Sequence, residues 1–178
     1  MEEKNWLALM ATQTQITQVL ETNQYTEKYG LTLSAEDAGI LAKERVNTLK
    51  QEQRIEFGPG ILPKIIYTFC DSVYIVQDNY RDSLLRLQDI FFLYKNEMRD
   101  EITDDELLEF MKEQFENVSY GDFDYLEGTC LEIFAEAVRA GYSGYISSQG
   151  RGEFEQFDIV TRWDRELYME TLRDLAWR

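Results

Sequence analysis

Proline occupies only two of the 178 positions, Pro59 and Pro63, and apolar residues recur at helix spacing through most of the chain. A chain with so few interruptions and a period near 3.6 must bury long apolar stripes against one another, the pattern of a helical bundle with short connections. At this length a domain buries roughly 70% of the surface its unfolded form exposes, enough for a core without disulfide or metal. We therefore expect an all-α fold, a bundle of about six to seven helices.

A first helix is expected around Ile16, Val19 and Leu20, ending at Tyr29-Gly30, where glycine supplies a left-handed cap. Ser34, with Asp37 three residues on, opens a second whose inner face is Ala38, Leu41, Ala42, Val46 and Leu49. Gly58-Pro59-Gly60 cannot continue a helix and predicts an ordered turn between the second and third helices. Pro63 suits the first turn of the third, whose broad face is Ile61, Leu62, Ile65, Ile66, Phe69, Cys70 and Val73.

A fourth helix, Asp78 to Met98, presents Leu84, Leu87, Phe91, Tyr94 and Met98, with Leu85 and Phe92 as a second stripe, and is expected at the centre of the bundle. Thr103-Asp104-Asp105-Glu106 has the form of a capping box and starts a fifth. A sixth, Phe123 to Arg139, uses Leu126, Cys130, Ile133, Phe134, Ala137 and Val138. Residues 1–141 then form the helical domain. Residues 142–178 form an irregular segment, through Gly144, Gly150 and Gly152, and a last helix from Trp163 to Trp177, packed on the same domain.

Eighteen Lys and Arg stand against 34 Asp and Glu, a formal charge of −16. Such a surplus repels phosphate backbones and anionic lipid heads, so neither direct nucleic-acid binding nor membrane binding is expected. It suits instead another protein as partner, one with a basic surface. The start, Met1-Glu2-Glu3-Lys4, is acidic where a secretory signal is cationic, and no apolar run approaches a membrane span, so a cytoplasmic protein is expected.

The chain contains no histidine, which excludes Ser-His-Asp and Cys-His hydrolysis, zincin sites and His/Cys zinc deaminase sites. Cys70 and Cys130 form no CxxC pair and fall on apolar faces, as buried free thiols do. The acids at Asp104-Asp105-Glu106 and the pair Glu132 and Glu136 match no metal-ligand pattern: an EF-hand needs a glycine at its sixth position, and a di-iron bundle needs histidine. No metal, cofactor or catalytic residue is implied, and whether the protein is an enzyme stays open, with the weight against it.

Two regions are candidate sites. The first is the turn before the third helix, where backbone N–H groups at a positive dipole end and Lys64 would receive an anionic ligand, with Arg54, Glu56, Gly58, Gly60 and Tyr74 around it. The second is the aromatic set Phe154, Phe157 and Trp163 in the irregular segment, a composition common at partner surfaces.

The block Arg54 to Ile75, with Tyr29-Gly30-Leu31-Thr32-Leu33, Phe92 to Asn96 and Asp104-Asp105-Glu106-Leu107, resembles an uncharacterised family of small acidic proteins from Gram-positive anaerobic bacteria, a domain of unknown function. The likeness covers residues 15 to 140. It implies a shared helical domain and supplies no catalytic residue. The function that asks least of the sequence is a non-enzymatic cytosolic protein-interaction or regulatory protein. Two alternatives stay open: a small-ligand-binding protein or enzyme using the Gly58–Lys64 turn, and an acidic mimic of a nucleic-acid backbone.

Overall fold

The computed structural model describes residues 2–140, so the segment 142–162, the helix expected from Trp163 to Trp177 and the aromatics Phe154, Phe157 and Trp163 lie outside the described residues. Among the described residues every regular element is helical, and no helix is long and apolar enough to cross a membrane. The chain divides into two compact units, the first Met1–Leu93 and the second beginning at Tyr94.

The first unit contains α1 (Glu2–Glu21), the short α2 (Asn23–Thr26), α3 (Ala35–Gln51), α4 (Leu62–Phe69) and most of α5 (Tyr80–Glu97). α1 packs against α3 and α4. After α2 a single 3₁₀ turn runs to Tyr29, and Gly30 closes it at φ 76°, a left-handed conformation that costs a glycine little. Ser34 and Asp37 form the full reciprocal capping box expected of them.

Between these elements the extended segment 31–33 is held chiefly by side chains, beside one backbone bond from the Leu31 N–H to the Thr26 carbonyl at 3.3 Å. The Thr26 hydroxyl donates to the Leu31 carbonyl at 2.8 Å. The Gln77 amide donates to the Thr32 carbonyl and accepts from its N–H, both at 2.8 Å. The Asn23 amide does the same for Leu33, at 2.9 and 2.8 Å. Leu31 and Leu33 are thereby fixed with their side chains in the core.

In this unit the expected first helix does not run unbroken to Gly30, since α1 ends at Glu21 and α2 and the 3₁₀ turn follow, and two apolar positions also depart from the sequence expectation. Val46 is exposed, and Thr48 is buried in its place. The inner face of α3 runs through Leu41, Arg45 and Thr48, which rotates Val46 off its edge; the Thr48 hydroxyl donates to Asp89 at 2.7 Å. Val73 is also exposed, because α4 ends at Phe69 and the chain turns there, with the Ser72 N–H bonded to the Phe69 carbonyl and the Ser72 hydroxyl accepting from the Tyr74 N–H.

The second unit begins inside α5, with Tyr94 and Met98 buried, and continues through α6 (Asp104–Asn117), α7 (Phe123–Tyr125) and α8 (Glu132–Arg139). Lys95 is buried and closes the corner after α5: its ammonium donates to the Ile102 carbonyl at 2.7 Å and meets Asp104 at 2.9 Å. Arg99 and Asp100 turn that corner at φ 54° and 56°, a conformation that costs ordinary residues free energy. Thr103 and Glu106 form the second reciprocal capping box. Phe110 stacks on Phe134 with ring centroids 3.8 Å apart.

The sixth expected helix is not uniformly α. Leu126–Leu131 forms a π-helical segment between α7 and α8. Its extra residue turns the inner face, so Leu131 and Ala135 are buried where Ile133 and Ala137 were expected. The Tyr94 hydroxyl donates to the Glu127 carbonyl within this segment, satisfying a backbone group at the irregularity. Glu132 and Glu136 are exposed.

Two tests follow. Asn23→Ala removes both bonds to Leu33 and leaves its backbone unpaired; urea unfolding should show a loss of about 2 kcal/mol. Burial pushes the Cys130 thiol from 9.0 to about 12 and the Tyr80 hydroxyl from 10.0 to about 12. Both folded values lie above the unfolded ones, so the folded state binds more protons. Their contribution is full below pH 9 and is lost as pH rises toward 12. A stability profile across that window should fall more gently in Cys130→Ala than in wild type, once the Ala variant's own lower baseline is subtracted.

Candidate functional site

The loop between α3 and α4 is built around a carboxylate that points inward. Two residues past the end of α3, Gln53 adopts φ 55°, while the Arg54 N–H reaches back to the Leu49 carbonyl at 2.8 Å. This pattern reverses the chain after a helix. The strand-like run Arg54 to Phe57 then places alternate side chains on opposite sides. Arg54 and Glu56 are partly covered, whereas Ile55 is 81% exposed and Phe57 86% exposed.

Glu56 is held from two directions. One carboxylate oxygen accepts from the Arg45 guanidinium at 2.7 Å, and the other accepts from the Ile61 N–H at 2.7 Å, at the start of α4. Both charged side chains are only 12% exposed. The Arg45 guanidinium also approaches the Gly58 carbonyl at 3.4 Å. A negative group at a helix N-terminus is favoured by the helix dipole and satisfies an N–H that has no partner within the helix.

Gly58 and Gly60 adopt φ 63° and 68°. At Gly60 a Cβ would also run into the Glu56 carboxylate, so glycine is required by both conformation and space. The backbone and the ion pair thus fix the loop from inside, while its two large apolar side chains project outward.

Of the residues singled out for an anionic ligand, Glu56, Gly58 and Gly60 meet in this loop, and the carboxylate seated at the start of α4 is the protein's own Glu56. Lys64 is exposed in the first turn of α4, its carbonyl accepting from the Thr68 hydroxyl. Tyr74 is half-buried in the α4–α5 connection, where its carbonyl accepts from Asn79 at 3.1 Å. Phe154, Phe157 and Trp163 lie outside the described residues.

Three residues that matter here were not singled out by sequence. Arg45 had a signal: it falls on the apolar stripe of α3, between Leu41, Ala42 and Leu49, where a charge needs a partner. Ile55 and Phe57 had none, because alternation does not tell which side of a loop faces the core.

These features define a class: an all-helical protein carrying an internally braced loop with an apolar tip. The chain belongs to the Family of unknown function (DUF6323), whose model matches residues 18–144, close to the stretch over which a family resemblance was expected, and including the whole loop. No curated protein and no solved structure matches the chain.

Removing the Glu56 carboxylate would strand Arg45 in a covered site. Glu56→Ala should therefore destabilise by about 3 kcal/mol, with Glu56→Gln losing less because its amide can still accept from Ile61. Gly60→Ala should cost at least about 1 kcal/mol through its positive φ alone. Equal urea midpoints for wild type and Glu56→Ala would show that the pair does not hold the loop.

Proposed function

We propose that this protein is a non-enzymatic interaction module whose contact element is the α3–α4 loop, and that its partner is another protein offering an apolar pocket with a basic rim. The observation that supports this reading is the inverted polarity of the loop. Burial of a side chain such as Ile or Phe stabilises by about 1.5–3 kcal/mol, yet here the carboxylate is turned in and Ile55 and Phe57 are turned out. Folding stability alone favours the opposite arrangement.

The brace makes the tip suited to binding. A loop already fixed by Arg45, Glu56 and two positive-φ glycines has little conformational freedom left to lose on association. An aromatic and a branched aliphatic side chain are effective anchors when they enter a desolvating pocket. The charge of −16 favours a partner whose rim is cationic and speeds encounter with it.

The test compares wild type with an Ile55→Ser/Phe57→Ser variant. Because both positions are exposed, stability should change by no more than about 0.5 kcal/mol per site. Cross-linking in the native cytosol, followed by purification of the captured complex, should yield a partner that wild type retains and the double variant loses. A partner retained equally by both proteins would remove the loop from the interaction.

A further inference from the structure

Three exposed tyrosines meet on the first unit, none of them a residue of the α3–α4 loop. Tyr25 lies at the centre, 5.4 Å from Tyr67 in an edge-to-face arrangement at 76°, and 6.1 Å from Tyr29 with the rings tilted by 58°. The rings come from α2, the 3₁₀ turn after it, and α4. Despite touching one another they remain 43%, 42% and 47% exposed for Tyr25, Tyr29 and Tyr67. Thr26 and Ile66, adjoining Tyr25 and Tyr67 in sequence, are buried, so the inward sides of the same segments already fill the core.

This surface holds a cation. The Lys28 ammonium sits 3.9 Å from the Tyr25 ring centroid and 5.2 Å from that of Tyr29. Acids outnumber bases 34 to 18 in the chain, yet among the described residues Lys28 lies against rings and is joined to no carboxylate. The faces of two tyrosines therefore already act as a cation site, filled by a flexible side chain from the same turn.

We propose that Tyr25, Tyr29 and Tyr67 form a docking platform for arginine side chains of a basic partner segment, with Lys28 as an internal occupant that the incoming guanidinium displaces. A guanidinium is planar and more weakly hydrated than an ammonium, so it stacks on aromatic faces better than lysine does. The displaced Lys28 ammonium returns to water, which solvates it well, and the acidic surplus of the chain draws the basic segment in. This platform goes beyond the loop and does not depend on it.

The probes are two fluorescent heptapeptides with a common Gly/Ser frame, one bearing three arginines and the other three lysines. They are titrated into the full chain at physiological salt and followed by anisotropy. Wild type should bind the arginine peptide about threefold to tenfold tighter than the lysine peptide. Tyr25→Leu/Tyr67→Leu, which keeps the apolar area and is checked by thermal melting, should abolish that preference. Lys28→Ala should raise affinity for the arginine peptide more than for the lysine peptide, since it removes a competitor as well as a charge.

Ile55→Ser/Phe57→Ser should leave the preference intact, which separates this platform from the loop. Absence of binding by both peptides, equal binding of both by wild type, or an arginine preference that persists in the folded double-leucine variant would overturn the proposal. A Lys28→Ala variant that strengthens both peptides equally would overturn the displacement step.

Discussion

An all-helical chain with short connections has to find partners for the backbone groups that every helix leaves unpaired at its ends, and this constraint organises the structure. Side chains supply those partners at corner after corner. Ser34 with Asp37 and Thr103 with Glu106 open two helices. Asn23, Thr26 and Gln77 hold the extended residues between α2 and α3, Glu56 caps α4, and Lys95 closes the turn after α5. Several of these groups are buried or nearly so, where a polar atom without a partner is costly. Thr26, Ser72, Lys95 and Glu106 are buried polar residues that serve helix ends in this way, whereas Gln15, Ser83, Gln88 and Gln114 are buried within helices.

The α3–α4 loop is the corner where this solution has a consequence beyond stability. Turning Glu56 inward to satisfy Arg45 and the Ile61 N–H forces its neighbours outward, because successive side chains in extended backbone alternate. The same carboxylate that braces the loop thus determines that Ile55 and Phe57 face solvent. A rigid scaffold with apolar side chains at its tip is an arrangement that a binding partner can use at small entropic cost.

Much of the helical plan was legible beforehand. Both capping boxes, the glycine stop at Gly30, the position of Pro63 and the buried series Leu84, Leu87, Phe91, Tyr94 and Met98 follow from local rules that operate within a few residues. The failures were of phase. Val46 and Val73 were assigned inward from spacing alone, but the true face of α3 passes through Arg45 and Thr48, and α4 ends before Val73. The π-helical segment had a faint signature: Leu126, Cys130, Phe134 and Val138 are each four apart, a spacing that drifts around a regular α-helix and stays in line only if the helix is locally widened.

The candidate site was legible only in part for the same reason. Glycine, proline and nearby charges marked the Gly58–Lys64 turn as unusual, since those residue types act on their own backbone. The amino-acid sequence by itself determined the helical class, the acidic surface, the absence of imidazole chemistry and most of the helix ends, because each depends on composition or on contacts between near neighbours. Tertiary structure alone decided that Arg45 meets Glu56, that Ile55 and Phe57 point away from the core, and that Tyr25 meets Tyr67. Those pairings join residues from separate elements, and no local rule specifies how two elements come together.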